Sequence, residues 1–170
     1  MPVASSSTTV FSEPDFDRLS WHVNPIYGFF IDNDVTQWKS DLVFDIDFIV
    51  EWLCGVGSKT QFKIAAATLT FHDVTDLKVN IDWGDSGMQV AVAEMTLDRI
   101  ARQLVEKQLI CLDRPYYRWS LQLNSPRPGG AISFGASGFT QILRQEPVVC
   151  DQQKLEPAIR ARLFHEIRRH

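Results

Sequence analysis

Residues 41–52 read DLVFDIDFIVEW, and every second position is apolar: Leu42, Phe44, Ile46, Phe48, Val50 and Trp52 alternate with Asp41, Val43, Asp45, Asp47, Ile49 and Glu51. A period of two is the spacing of a β-strand, whose successive side chains leave opposite faces of the sheet. A helix would scatter the six apolar residues around its circumference, so this stretch commits the chain to a sheet with one buried face. Residues 76–83 repeat the pattern, with Leu77, Val79, Ile81 and Trp83 set against Asp76, Lys78, Asn80 and Asp82. Both segments are expected as half-buried strands, placing Phe44, Ile46, Phe48, Leu77, Val79 and Ile81 in the core.

Further strands follow from the same reasoning. Tyr117, Trp119, Leu121 and Leu123 alternate with polar residues, and the turn-forming SPRPGG that follows predicts a hairpin to a strand at residues 131–134, with Trp119 and Leu121 facing the core. Residues 26–31 and 62–71 are expected as strands, the latter blurred by three consecutive alanines. Residues 96–110 fit a helical face after Thr96, yet strands flank them on both sides, and strand is the preferred reading. At the C-terminus Pro157 suits a first-turn position, and Ile159, Leu163, Phe164 and Ile167 form an apolar stripe, which predicts a helix. The expected fold is mainly β: a single-domain antiparallel β-sandwich or open barrel with a C-terminal helix, over residues 15–170, preceded by a flexible N-terminal tail over residues 1–14.

Composition narrows the function. With 170 residues, eleven Phe and five Trp, the chain can bury a full core without staples. A formal net charge of −4 supplies no basic field for a nucleic acid, and no uncharged segment is long enough to span a membrane. Cys54, Cys111 and Cys150 are odd in number and widely spaced, which suggests neither a disulfide framework nor a zinc knuckle. The first residues lack the basic and apolar regions of a secretory signal, so a reducing cytoplasmic setting is expected.

Three motifs invite chemistry and are better read as turns. GVGSKT, residues 55–60, lacks the first glycine of a phosphate-binding G-x-x-x-x-G-K-[ST] loop, where Leu53 stands, and its second, where Ser58 stands. It also fails G-x-G-x-x-G at Thr60, so a hairpin connection accounts for its glycines and no cofactor is expected. Gly135-Ala136-Ser137-Gly138-Phe139 misses the nucleophile-elbow pattern at Phe139, and its small residues suit a bend that turns Phe139 inward. His72-Asp73 pairs an imidazole with a carboxylate, but an Asx-type turn between two strands is the preferred reading.

Asp45, Asp47 and Asp82 lie on the polar faces of the two clearest strands. If those strands share a sheet face, the three carboxylates, with Lys78 among them, form a solvated acidic patch able to steer a basic protein partner. The C-terminal Arg160, Arg162, Arg168 and Arg169 are expected to complement the dipole of the terminal helix.

The segments FHDVTDLKVNIDW, YYRWSLQL and ISFGASGFTQILR together resemble the layout of small uncharacterised bacterial β-rich domains, some of them similar to immunity proteins of toxin systems. The resemblance spans residues 44–144 and rests on packing and turn patterns, so it implies a fold and a toxin-neutralising role but assigns no functional residue. The expected function is a non-catalytic interaction module that binds a basic protein partner through its acidic face. The alternatives are a β-barrel holding a small apolar ligand, or a small hydrolase or isomerase whose site assembles only in three dimensions.

Overall fold

The computed structural model describes residues 8–55, 59–83, 94–106, 113–126 and 129–163. Among these residues there are ten strands: β1 Val10–Ser12, β2 Pro25–Asp34, β3 Lys39–Leu53, β4 Gln61–His72, β5 Thr75–Ile81, β6 Met95–Leu104, β7 Tyr117–Ser125, β8 Gly130–Ala136, β9 Gly138–Leu143 and β10 Val148–Cys150. They form one antiparallel sheet in the order β1-β9-β4-β3-β2-β6-β7-β8-β5, with β10 pairing the start of β4. The ambiguous stretch after Thr96 is strand as far as Leu104, and residues 107–110 lie outside the described residues.

Two neighbouring bends curl this sheet. β4 passes into β5 at His72–Thr75, and β8 passes into β9 at Ser137, where the Ser137 amide donates to the His72 carbonyl at 2.9 Å. Asp73 and Asp76 take positive φ here, 56° and 53°, a region that Asp tolerates better than most side chains. On β8 and β9 glycines allow close approach of side chains from elsewhere in the fold. A Cβ on Gly135 would sit 2.6 Å from the Tyr116 hydroxyl, and one on Gly138 would sit 3.0 Å from Oε1 of Glu13. The small residues of GASGF therefore serve the bend, and Phe139 does turn inward, being 2% exposed.

The bends fold the β3–β4 half over the β7–β8 half, and aromatic rings fill the space between. Phe71 of β4 lies 4.9 Å from Trp119 of β7, 4.7 Å from Phe134 of β8 and 6.0 Å from Phe44 of β3, mostly edge to face. Phe44, Ile46, Phe48, Trp119 and Leu121 are buried as their alternation requires. Val79 is not: it is 45% exposed, and Leu77 and Ile81 are only partly buried. Among the described strands β5 pairs with β8 alone, so it stands at the margin of the sheet and covers little.

Near the N-terminus, within the segment expected as a tail, residues 10–12 join the sheet, and residues 151–163 lie against it without the expected helix; residues 1–7 lie outside the described residues. Residues 10–12 pair with β9, and Glu13–Arg18 forms a short 3-10 helix that brings Phe16 and Trp21 onto Phe139. Glu13 accepts from the Phe139 amide at 2.9 Å and pairs with Arg102, whose guanidinium lies over the rings of Phe16 and Tyr117 at 4.2 and 4.6 Å. At the other end, residues 155–163 are turns and irregular chain, not helix, and residues 164–170 lie outside the described residues. The segment's polar groups are tied to the body of the protein: the Leu155 amide and the Arg160 side chain reach carboxylates of β3, and the Ala161 amide reaches Gln145, while the Ile159 amide makes a single turn bond to the Glu156 carbonyl.

Candidate functional site

The outer face of β3 begins with Asp41, Val43, Asp45 and Asp47, opposite the core-facing Leu42, Phe44, Ile46 and Phe48. Alternation alone leaves this face to solvent. In the structure Asp45 is 9% exposed and Asp47 is fully buried, because residues 151–163 lie across it. Arg160 grips both: its two terminal nitrogens reach Asp45 at 2.5 and 3.1 Å, and its Nε reaches Asp47 at 2.8 Å. Arg144 donates to Asp45 at 2.5 Å and to Thr68 at 3.0 Å. The Leu155 amide and the Tyr27 hydroxyl both donate to the remaining oxygen of Asp47, at 2.8 and 2.9 Å. The Arg160 guanidinium also sits 3.7 Å from the centre of the Tyr27 ring.

This is a desolvated charge cluster in which each carboxylate has several donors, the condition under which buried charges are tolerated. Burial alone would lower the Arg160 pKa, but the hydrogen bonds and charges of Asp45 and Asp47 outweigh it and hold the pKa above its ordinary value. Burial, with the neighbouring Asp47 carboxylate, pushes the Tyr27 phenol well above its usual value. Beneath the same segment Leu155 joins Ile49, Phe62, Ile64 and Ala66 in a second apolar cluster. Ile49 continues the Asp45–Asp47 face and is buried under this segment; a bulge between Ile49 and Glu51 then shifts the register so that Trp52 lies opposite Phe62, with Val50 and Trp52 38% and 46% exposed.

The three carboxylates expected to act together are thus separated. Asp45 and Asp47 are neutralised within the fold, which corrects their placement on a solvated patch, and Arg160 is a partner of β3 and not a complement to a helix dipole. Asp82 is exposed beyond the end of β5, divided from β3 in the sheet order by β2, β6, β7 and β8.

His72 does join a three-dimensional cluster. Its Nδ1 lies 3.0 Å from Asp41 Oδ2 and its Nε2 lies 2.6 Å from the Thr140 hydroxyl, a row across β3, β4 and β9. Lys39 reaches the same Asp41 oxygen at 2.9 Å. Burial would raise the Asp41 pKa, but the hydrogen bonds from Lys39 and His72 prevail and lower it. Thr140 is paired on both sides, with Ser12 and Thr70, and the adjacent Phe139 amide is taken up by Glu13, so that amide is not free to steady an oxyanion. The row ties three strands together. Asp73, its neighbour in sequence, turns the other way: it accepts from the Ser137 hydroxyl and pairs with Arg114 at 2.5 Å.

One end of the molecule collects acid, all of it at least partly exposed except Asp41, which is 7% exposed. Asp32 and Asp34 stand at the tip of the β2–β3 hairpin, Asp41 faces Asp32 across it, and the Val74 amide donates to the Ser40 carbonyl, which brings the Asp73–Asp76 bend alongside. Asp32 and Asp76 are exposed, and Asp34 and Asp73 partly so. Their shared field shows at Lys39, whose pKa is raised by the hydrogen bond to Asp41 and further by the charges of Asp73 and Asp32. The apolar tip of this hairpin is open as well: Val35 is 85% and Trp38 96% exposed. Sequence reasoning missed this end, although the run of polar and acidic residues around Val35 and Trp38 carries the signal.

The GVGSKT segment joins β3 to β4, with Leu53 opposite Gln61; residues 56–58 lie outside the described residues. Its flanks border an open concavity of about 700 Å³ shared with Glu51, Trp52 and Asp151. Lys59 is 3.7 Å from Asp151, which also accepts from Gln61 at 2.9 Å. Two carboxylates beside one lysine disfavour a polyphosphate. Calorimetric titration with ATP, GTP and NAD is expected to give no saturable heat; binding abolished by Lys59→Ala would contradict this.

Among the described residues no group of three or more His, Cys, Asp or Glu could hold a metal ion, and no helix is long and apolar enough to cross a membrane. Comparison of the chain with family models, with curated proteins and with solved structures finds no match.

Proposed function

We propose that the protein is a non-catalytic interaction module for a basic protein partner, engaged through the hairpin end and not through the face of Asp45 and Asp47. The observation that carries this reading is the gathering of Asp32, Asp34, Asp73 and Asp76 at one end, around the buried Asp41 and against Lys39 and Arg114, in a chain of net charge −4. Carboxylates held on a sheet keep their spacing, and their field steers a cationic surface over about 8 Å at physiological salt. The resemblance to immunity-like domains supports the same class of partner, a basic toxin. The corner shared by β4–β5 and β8–β9 supports reading the curled sheet as an open barrel. Cys54 and Cys150 are free thiols, which supports action in a reducing compartment.

The test is association kinetics with a partner isolated from the source cell on the immobilised protein. The partner should be basic, and its association rate should fall roughly tenfold or more between low and high salt. Changing the exposed Asp32 and Asp76 to Asn should slow association while leaving unfolding nearly unchanged. A partner of acidic surface, or an unchanged association rate in the double variant, would remove the proposal.

A further inference from the structure

We infer that Trp38 and Val35 form the anchor of this interaction, and that the partner receives them in an apolar pocket with a basic rim. The inference rests on the functional reading above and adds the short-range contact to the long-range steering. Val35 is 85% and Trp38 96% exposed, the first and last residues of the four-residue turn of a hairpin whose Ile31 is a further 49% exposed. Large apolar side chains scattered singly on a surface need no explanation, but two of this kind gathered at one projecting tip mark a contact site. Tryptophan is also the side chain most enriched among residues that dominate binding energy.

The tip is held in shape before any partner arrives. Asp34 Oδ1 accepts from the Thr36 amide at 2.9 Å, the Thr36 hydroxyl at 2.6 Å and the Gln37 amide at 3.2 Å. Trp38 itself has φ of 54°, a left-handed conformation uncommon for any residue but Gly, Asn or Asp and worth a functional explanation when an aromatic residue holds it. A rigid tip loses little conformational freedom on docking, and a tryptophan with two rotatable bonds loses little more.

Charge selects the occupant. Asp32 is exposed beside the tip, Asp34 holds it, and the nearest cation, Lys39, is committed to Asp41. This acidic collar fits a basic rim around an apolar pocket. It also disfavours an anionic lipid surface, which attracts basic segments and repels acidic ones.

A photoreactive phenylalanine analogue at Val35 of the full chain, activated in the source cell, reads the contact directly. The expected adduct is on a single protein, at a peptide whose apolar residues stand beside Lys or Arg. Attachment to lipid, to a second copy of this chain, or to nothing would overturn the inference, as would sedimentation of the protein with phosphatidylcholine–phosphatidylserine vesicles. With the adducted protein purified, Trp38→Ala should raise the dissociation rate by about tenfold or more, with the salt dependence of association and the unfolding midpoint unchanged. An unaltered dissociation rate would overturn the anchor. If Asp32→Asn with Asp76→Asn still slows association in that case, the electrostatic reading stands and the anchor alone fails.

Discussion

Replacing Arg160 by Met should destabilise the protein by about 3–5 kcal/mol, seen as a lower urea midpoint. Met keeps much of the apolar stem but not the guanidinium that lies over the Tyr27 ring and grips the two carboxylates, so the loss is that of the charge and its contacts. Asp45 would remain out of water with Arg144, and Asp47 would lose the cation at its Oδ1, and an under-compensated buried carboxylate costs more than the intact ion pair contributes. The same reasoning gives a non-additive result. Arg160→Met combined with Asp45→Asn and Asp47→Asn should cost less than Arg160→Met alone, because the charges left unpaired are then gone. A change of roughly half a kcal/mol or less for Arg160→Met would place the guanidinium in solvent and the C-terminal segment off the sheet.

Phe71→Ala should cost about as much, 3–5 kcal/mol, for a different reason. Phe71 is 1% exposed and its ring touches aromatic neighbours from both halves of the curled sheet, so truncation leaves a cavity between halves that cannot close without moving the bend at His72–Thr75. Chemical denaturation measures it, and the denaturant slope should stay constant if the native state keeps its compactness. A loss well under 2 kcal/mol would mean that the two halves are not packed on a common core.

These two residues mark what could and could not be read from the chain. Local periodicity shows β3, β5 and β7, because a two-residue repeat reports the face a side chain takes; β2 and β8 are legible from the turn residues that bound them, and β4, which carries Phe71, despite an alternation blurred by its alanines. β6 was legible only from its strand neighbours. What periodicity does not report is which segment covers the other face. The aspartates of β3 look solvated in isolation; they are buried because a segment more than a hundred residues later carries Arg160 and Leu155 to them. Two aspartates spaced by two on one strand, in a chain with an arginine-bearing tail, are the available signal, but the register of that encounter is a tertiary fact. The exposed Val79 shows the converse: its alternation is correct and its strand stands at the margin, where no layer covers it. The Asp41–His72–Thr140 row was invisible for the same reason, since its three residues are neighbours only across strands.

That the outer face of β3 is sealed by the protein's own C-terminal segment decides which surface is left for a partner. Amide hydrogen exchange in the free protein tests this most directly. The Leu155 amide donates to the buried Asp47 and the Ala161 amide donates to Gln145 at 2.6 Å, so both should exchange far more slowly than an unstructured chain. Exchange of these two amides at free-chain rates would contradict the account and return Asp45 and Asp47 to solvent as an open acidic face.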